Sequence, residues 1–175
     1  MRFSILTMLL CIFFSACSQK IYDEPKIPTF QTSDYLPLSI NARKLVVIQN
    51  WKMPGEEPFK EHLVMPNPSS VITEWASNTL LPAGSSGDLT LDIRRASIII
   101  TDIQQADSIT GQFKDNQKSK IEVEMAGQIM WIQPVTAQTG FLDARSKSST
   151  TVSESSSPLD FDIAIQETIL SALAG

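Results

Sequence analysis

The chain alternates strictly between polar and apolar side chains in the segment Asp88-Leu89-Thr90-Leu91-Asp92-Ile93-Arg94. Successive side chains of a β-strand point to opposite faces, so this pattern predicts a strand with one buried and one solvated face. The alternation continues on the other parity from Ala96 to Ile100. One inserted residue shifts the parity in this way, and we therefore expect a β-bulge near Arg95.

Three charged residues of this strand, Asp88, Asp92 and Arg94, fall on its solvated face. Paired carboxylates serve acid-base catalysis only where a pocket brings them to a substrate, and the sequence indicates no such pocket. Ion pairs with neighbouring strands explain these charges more simply.

Two further segments are predicted to be strands, one apolar and one polar. Lys44 to Trp51 contains four consecutive apolar residues, which is typical of a central strand. Phe141 to Glu154 is rich in serine and threonine, which favours a position at the sheet edge. Its charged residues Asp143, Arg145 and Lys147 would discourage pairing between edges.

A long strand is predicted from Lys118 to Gln133, with alternating apolar and charged residues in its first half. Beyond Gly127 both faces become apolar, through Met130, Trp131 and Ile132. A contiguous apolar surface there would mark a contact with a partner or a lipid. A second core layer is the competing explanation.

Two helices are predicted from capping signals and apolar stripes. Asn67-Pro68 supplies an N-cap followed by proline, opening a helix from about Ser69 to Leu81 in which Trp75 lies on the apolar stripe. We assign Trp75 to the core. Ser157-Pro158-Leu159-Asp160 has the residues of a capping box and opens the final helix.

The predicted element order is β-α-β-β-β-α, with hairpin-length links between the last three strands. This order indicates an α+β domain with a mixed, mostly antiparallel sheet of about four strands and two helices on one face. The first strand reaches the second through a helix and is expected to run parallel to a neighbour. Gly84-Ser85-Ser86-Gly87 lacks the lysine and the strand-to-helix context of a phosphate-binding loop, so a plain turn is expected.

The amino-terminal segment has the layout of a secretory signal, with Arg2 followed by the uncharged run Phe3 to Phe14. This run is too short for a transmembrane helix, which needs roughly 20 apolar residues. Phe14-Ser15-Ala16-Cys17 resembles the lipobox of bacterial lipoproteins. We expect residues 1–16 to be a lipoprotein signal peptide, the alternative being an ordinary secretory signal in which Cys17 is incidental.

The lipobox resemblance implies that Cys17 carries acyl chains, and two or more chains give stable membrane anchoring. In the lipoproteins it resembles, aspartate after the cysteine favours the inner membrane, and here the residue is Ser18. The resemblance therefore implies a periplasm-facing protein, in the outer membrane rather than the inner. Residues 17–40, with Pro25 among their prolines, are expected to be the lipidated end and an extended tether.

The single globular domain is expected to span residues 41–175. The alternative for the tether is that part of it, such as Tyr35-Leu36, packs onto the domain. Once the signal is removed and Cys17 is modified, no cysteine remains for a disulfide, a zinc site or a thiol nucleophile.

The remaining composition narrows the possible chemistry. His62 is the single histidine, and with only Glu61 beside it the ligand count for a metal is not reached, so neither a metal nor another cofactor is expected. The formal charge of −5 argues against binding to nucleic acid. No nucleophile with an adjacent base is present, and we expect no enzymatic activity.

The layout resembles small periplasmic lipoproteins that serve as auxiliary parts of envelope machinery, including those of ABC-type transport systems. The chain is also similar to an uncharacterised lipoprotein family of alphaproteobacteria. This second resemblance rests on the following segments: Glu61 to Pro66, Trp75-Ala76, Leu80-Leu81, Gly84 to Leu89 and Arg95-Ala96-Ser97.

Two functions follow as expectations. The first is a non-catalytic, membrane-anchored accessory or assembly subunit of an envelope complex, which binds a protein through a sheet edge or the surface around Met130 to Ile132. The second is a lipid- or small-molecule-binding module with a pocket between helices and sheet, near Trp75 and Trp131. A continuous apolar cavity would favour the ligand, and a filled core with an exposed edge strand would favour the protein partner.

Overall fold

The computed structural model describes residues 25–103 and 117–175. The predicted signal peptide, Cys17 and the connection 104–116 lie outside these residues. Within the described ranges the strands and helices, in chain order, are β1 (Leu38–Ile40), β2 (Lys44–Gln49), α1 (Pro68–Thr79), β3 (Leu80–Pro82), β4 (Asp88–Asp102), β5 (Gln117–Gln133), β6 (Gln138–Ser153) and α2 (Pro158–Ala174).

The main sheet has the strand order β2-β4-β5-β6. β2 runs parallel to β4, with Lys44 opposite Asp88, whereas β4, β5 and β6 are mutually antiparallel. β1 and β3 form a separate parallel pair in which Leu38 lies opposite Leu80. The architecture is therefore α+β with a mixed, mostly antiparallel sheet, as the sequence predicts.

The predicted bulge is present in β4. The pairing of β4 with β5 shifts register between Ile93 and Arg95. Ile93 and Ala96 are consequently both buried although they differ in parity, at 0% and 1% exposure. The extra residue thus lets one strand keep its apolar side chains on the same face on both sides of the bulge.

Both predicted helix starts are confirmed. The side chain of Asn67 accepts a hydrogen bond from the backbone N–H of Ser70 at 2.9 Å, and Pro68 begins α1. Ser157 and Asp160 form a reciprocal capping box at the start of α2. α1 ends at Thr79 rather than near Leu81, because the chain passes directly into β3, a short strand that the sequence did not reveal.

The two helices pack on one face of the main sheet and share its core. The buried apolar residues from the sheet are Leu89, Leu91, Ile93, Ala96, Ile98, Ile121, Val123, Met125 and Val152, and those from the helices are Val71, Ile72, Ala76, Ile165, Ile169 and Ala172. Burial of this continuous apolar surface is the main source of stability for a domain that the sequence expects to lack disulfides.

The prediction that β2 is a central strand is wrong, because β2 lies at an edge of the main sheet. Leu45 and Val47 point to the core, whereas Val46 and Ile48 point to the other face. An unbroken apolar run is therefore compatible with an edge strand whose second face contributes to a surface patch.

Part of the predicted tether packs on the domain instead of extending from it. Phe30 is only 8% exposed and its ring stacks on Tyr35 at 5.4 Å between centroids. Burial raises the pKa of the Tyr35 phenol, and the nearby charge of Asp34 adds to the effect. Packing thus begins before residue 41, although most residues from 25 to 39 are exposed, among them Leu36 at 87%.

Candidate functional site

The structure places the four predicted surface residues on two opposite faces of the sheet. Trp131 belongs to the core-facing parity of β5, together with the buried Val123 and Met125, and Trp75 packs against the same core from α1. Met130 and Ile132 point to the face that carries neither helix. The set therefore divides into two separate candidate sites.

The first candidate site is a patch on the helix-free face. One row of register partners crosses the sheet from Val46 through Thr90 and Met130 to Phe141. Ile48 and Ile132 flank this row. We call the five apolar residues, Val46, Ile48, Met130, Ile132 and Phe141, the open-face patch.

The open-face patch is accessible to solvent in the described structure. Phe141 is 77% exposed, Ile132 is 51% exposed and Ile48 is 39% exposed. A hollow of about 280 Å³ adjoins Ile132 and is lined also by Arg43, Asp88 and Pro134. Large apolar side chains grouped on one sheet face in this way are typical of a docking surface.

Ion pairs border the patch at both ends. On one side Asp88 lies 3.6 Å from Arg43 and 3.5 Å from Lys44. On the other side Arg94 contacts Asp92 at 3.1 Å and Asp143 at 3.2 Å. The predicted cross-strand pairing holds for Asp88 with Lys44 of β2 and for Arg94 with Asp143 of β6, whereas Asp92 is buried at 8% exposure and pairs with Arg94 of its own strand. These pairs give the patch a polar rim.

The rest of the helix-free face is covered by paired charges from β5 and β6. Glu124 accepts hydrogen bonds from Arg95 at 2.9 Å and from Arg145. Hydrogen bonds from Lys147, and next from Lys120, hold the pKa of the Glu122 carboxyl below its ordinary value. This half of the face is solvated and locally neutralised, in contrast to the apolar patch.

The second candidate site is a cavity of about 160 Å³ on the helix side. It lies between Ile72 and Trp75 of α1, the end of α2 at Leu173, and the sheet at Leu91 and Met125. Trp75 thus lines a cavity while also packing on the core. Ligand pockets are commonly about 300–1,000 Å³, so this cavity is small for a lipid or a drug-sized molecule.

Trp131 does not line this cavity. Its indole N–H donates a hydrogen bond to the backbone carbonyl of Asn41 at 2.8 Å. This contact fixes the ring over the connection between β1 and β2, so we assign Trp131 a structural role.

The glycine-rich segment is a structural turn, as predicted. Ser86 donates a hydrogen bond to the side chain of Gln133 at 2.6 Å, and Gly87 has a φ of 83° that favours glycine. A Cβ atom at Gly84 would lie 2.4 Å from the side chain of Asn41. The glycines are therefore required by the backbone and by close packing.

The described residues also bear on two further functional features, a metal site and a membrane-spanning helix. Among residues 25–103 and 117–175, no three His, Cys, Asp or Glu side chains are grouped so that they could hold a metal ion. His62 is exposed. No helix of these ranges combines the length and the apolar character that crossing a membrane requires.

The sequence did not identify Val46, Ile48 and Phe141 as surface-patch residues. Each lies in a segment that was correctly predicted to be a strand, and alternation within a strand shows which residues share its two faces. What was missing is the register between strands, which brings Val46 and Phe141 into one row.

The chain is distantly similar in structure to a solved bacterial protein. No protein-family model matches the chain, and no curated protein matches it. The chain is similar in structure to protein XCC0632 from Xanthomonas campestris, whose crystal structure is described under the family DUF330. The identity is 10%, the TM-score is 0.33, and the match covers 84% of this chain and 86% of that chain. At this distance, function has to be argued from the residues of this chain.

Proposed function

We propose that this protein is a non-catalytic, lipid-anchored lipoprotein of the bacterial envelope that serves as an accessory or assembly subunit through contact with another protein. The observation that carries the proposal is the open-face patch, where exposed Phe141 and Ile132 lie within a rim of paired charges. An apolar centre with a polar rim is the usual anatomy of a protein–protein interface.

A protein partner fits this surface better than a lipid bilayer does. The formal charge of the chain is −5, which opposes approach to anionic headgroups. The rim pairs, such as Lys44 with Asp88, present both signs of charge and match a complementary polar rim on a folded partner. The membrane contact is assigned instead to acyl chains on Cys17, with the domain facing the periplasm from the outer membrane.

The alternative function, binding of a lipid or small molecule, is favoured by one observation, the apolar cavity beside Trp75. Its volume of about 160 Å³ accommodates only a small apolar group. The exposed edge strand and the open-face patch are more extensive features, and they support the accessory role.

Anchoring is tested by replacing the proposed acylation site. The C17S variant should move from the membrane fraction to the soluble periplasmic fraction, whereas C11S, within the predicted signal, should leave the distribution unchanged. Mass spectrometry of the processed amino terminus should detect the acyl chains on the parent protein. Retention of the C17S variant in membranes would contradict the anchor.

Docking is tested with a photo-crosslinking amino acid introduced at Ile132 in the full chain, in intact cells. A matched control position is Thr101, which is exposed on the same face at its far end. A discrete protein adduct from Ile132, absent from Thr101 and lost when M130D is added, would support the proposal. Adducts with lipid alone, or equal labelling at both positions, would contradict it.

A further inference from the structure

The outer edge of β6 is the longest free strand edge in the described structure. β6 runs for 16 residues at the end of the main sheet, and no segment within residues 25–103 or 117–175 pairs with its outer side. An edge of this length presents a row of unpaired backbone donors and acceptors that can bind another strand. We propose that β6 pairs with β6 of a second copy, antiparallel, with Ala144 opposite itself, to form one continuous sheet.

The charges of β6, which the sequence predicts to discourage unspecific pairing between edges, favour this particular register. Asp143, Arg145 and Lys147 all point to the helix-free face, since they lie opposite the even-numbered side of β5. With Ala144 on the two-fold axis, Asp143 of each copy lies opposite Arg145 of the other. Opposite charges in such cross-strand pairs are stabilising.

Neighbouring registers are less favourable. Opposed side chains must point to the same face, so the axis can move only by whole residues along the strand. Moving it to Arg145 places that residue opposite itself, although Asp143 then faces Lys147, and moving it to Asp143 places two carboxylates opposite each other and leaves Arg145 opposite Phe141. Like charges placed directly opposite each other are destabilising.

Ion pairs within each copy extend this alternation of positive and negative charges. Arg94 lies 3.2 Å from Asp143, and Glu124 accepts a hydrogen bond from Arg145 at 2.7 Å through Nε. The Asp143 and Arg145 side chains remain 57% and 73% exposed, which leaves both able to meet a second partner. Pairing of two copies would thus create two symmetry-related rows of alternating charges, each running from Arg94 and Asp143 of one copy to Arg145 and Glu124 of the other.

The same register brings the exposed apolar side chain of Leu142 into contact with the second copy. Leu142 is 59% exposed on the helix side of the sheet, opposite Ile129. The proposed pairing places it opposite Ser146 of the second copy, whose hydroxyl donates to the carbonyl of Ala172 near the end of α2.

Ser146 and Ala172 are both lining residues of the cavity beside Trp75. Leu142 of one copy would therefore lie at the mouth of the cavity in the other. The volume of about 160 Å³ is sufficient for one branched aliphatic group. The second copy is therefore an occupant that accounts for the free edge, the charges, the exposed leucine and the cavity together.

The register is tested by disulfide formation in the full chain, in isolated membranes. Directly opposed residues of antiparallel strands have Cα atoms about 4.5–5.5 Å apart, which a disulfide can bridge. The A144C variant should therefore give a reducible dimer. The control S149C lies on the exposed part of the same strand, where the two copies of the residue would be about 34 Å apart, so it should not cross-link. The parent chain, treated identically, accounts for Cys11 and Cys17.

Charge reversal in the A144C background separates the interface from contacts within one copy. D143R or R145D alone should weaken dimer formation by about tenfold, because each places like charges opposite each other twice. The double variant D143R/R145D should restore it, although it places like charges against both Arg94 and Glu124 within each copy.

If the charges acted only within one copy, the double variant would be the weakest of the three. That result would overturn the proposal, as would cross-linking of S149C equal to that of A144C. A different protein captured through the A144C thiol, with no dimer, would also overturn it. Ile132 lies on β5, one strand away from the outer edge of β6, and its crosslinking does not require the A144C contact, so the dimer and the accessory function can fail independently.

Discussion

The two outer edges of the main sheet are completed in different ways. At one edge, β4 is paired by the short strand β2 up to Ile93, and beyond the bulge the chain returns to cover it. The backbone N–H of Lys60 donates a hydrogen bond to the carbonyl oxygen of Ile98 at 2.9 Å, and Phe59 forms an isolated antiparallel β-bridge with Ile99. At the other edge, β6 has no pairing segment within the described part of the chain.

The difference between the two edges shows that the irregular segment after β2 is an integral part of the fold. The stretch after β2 has the composition of a long exposed loop, yet Glu61 is only 1% exposed. Its carboxylate accepts a hydrogen bond from the backbone N–H of Ile98 at 3.2 Å. Natural sheets protect their edges by covering them in this way or by placing charges on them. The edge of β6 carries charges but has no covering segment within the described residues, so association is expected there and not at β4.

The largest expected effect comes from removing the protection of the β4 edge. Glu61→Ala would leave the buried N–H of Ile98 without an acceptor and create a void. We expect the free energy of unfolding to fall by about 2 kcal/mol, measured by urea denaturation with tryptophan fluorescence.

Glu61→Gln is the matched control for this prediction, since its amide oxygen can still accept the hydrogen bond. It should lose about half as much stability as Glu61→Ala. Equal losses in the two variants would show that the edge hydrogen bond is not the source of the stabilisation.

The second largest effect is expected from weakening α2, the helix that packs over β6. α2 lies across β5 and β6, and Ser148 of β6 contacts Ser171 of the helix at 3.0 Å. At the helix start, the side chain of Ser157 accepts from the N–H of Asp160 at 3.2 Å, and that carboxylate accepts from the N–H of Ser157 at 3.0 Å. Ser157→Ala should lower the free energy of unfolding by about 1 kcal/mol.

Thermal unfolding followed by circular dichroism would check this value. Glu167→Ala, on the exposed face of the same helix, provides a comparison that leaves the capping box intact. An identical decrease for both substitutions would show that the capping box does not contribute specifically to the stability of α2 over β6.

The elements that could be predicted are those with a local physical signal. The alternation around Leu91 predicts β4, the parity shift predicts its bulge, and Asn67 and Ser157 predict both helix starts. Each signal depends on residues within a few positions of one another, so pattern alone suffices.

The elements that could not be predicted depend on contacts between distant segments. β3 has three residues and forms only because β1 is beside it. Phe30 becomes part of the core through packing that no periodicity reveals. The candidate site follows the same rule, because the pairing of Met130 with Phe141 requires a register that only the assembled sheet provides.

The smallest expected effect is an acid response on the β6 side. Lys147 of β6 and Lys120 of β5 both contact the Glu122 carboxylate, Lys120 at 2.9 Å. These contacts hold the pKa of Glu122 below its ordinary value of 4.5. The unfolded chain takes up the proton first as the pH falls, so the contribution is complete above pH 4.5 and is lost as the pH drops through the folded-state pKa.

Both lysines are about half exposed, so solvent screens the pairs and the contribution is about 0.5 kcal/mol. Urea denaturation at a series of pH values from neutral to acidic should show a shallower loss of stability in Glu122→Gln than in the parent. Part of the acid response should persist in that variant, because hydrogen bonds from Ser157 also hold the pKa of Asp160 below its usual range. Parallel pH profiles for parent and variant would mean that the charge pairs between β5 and β6 add no stability, and that β6 is held by backbone hydrogen bonds and by apolar burial, to which Val152 contributes.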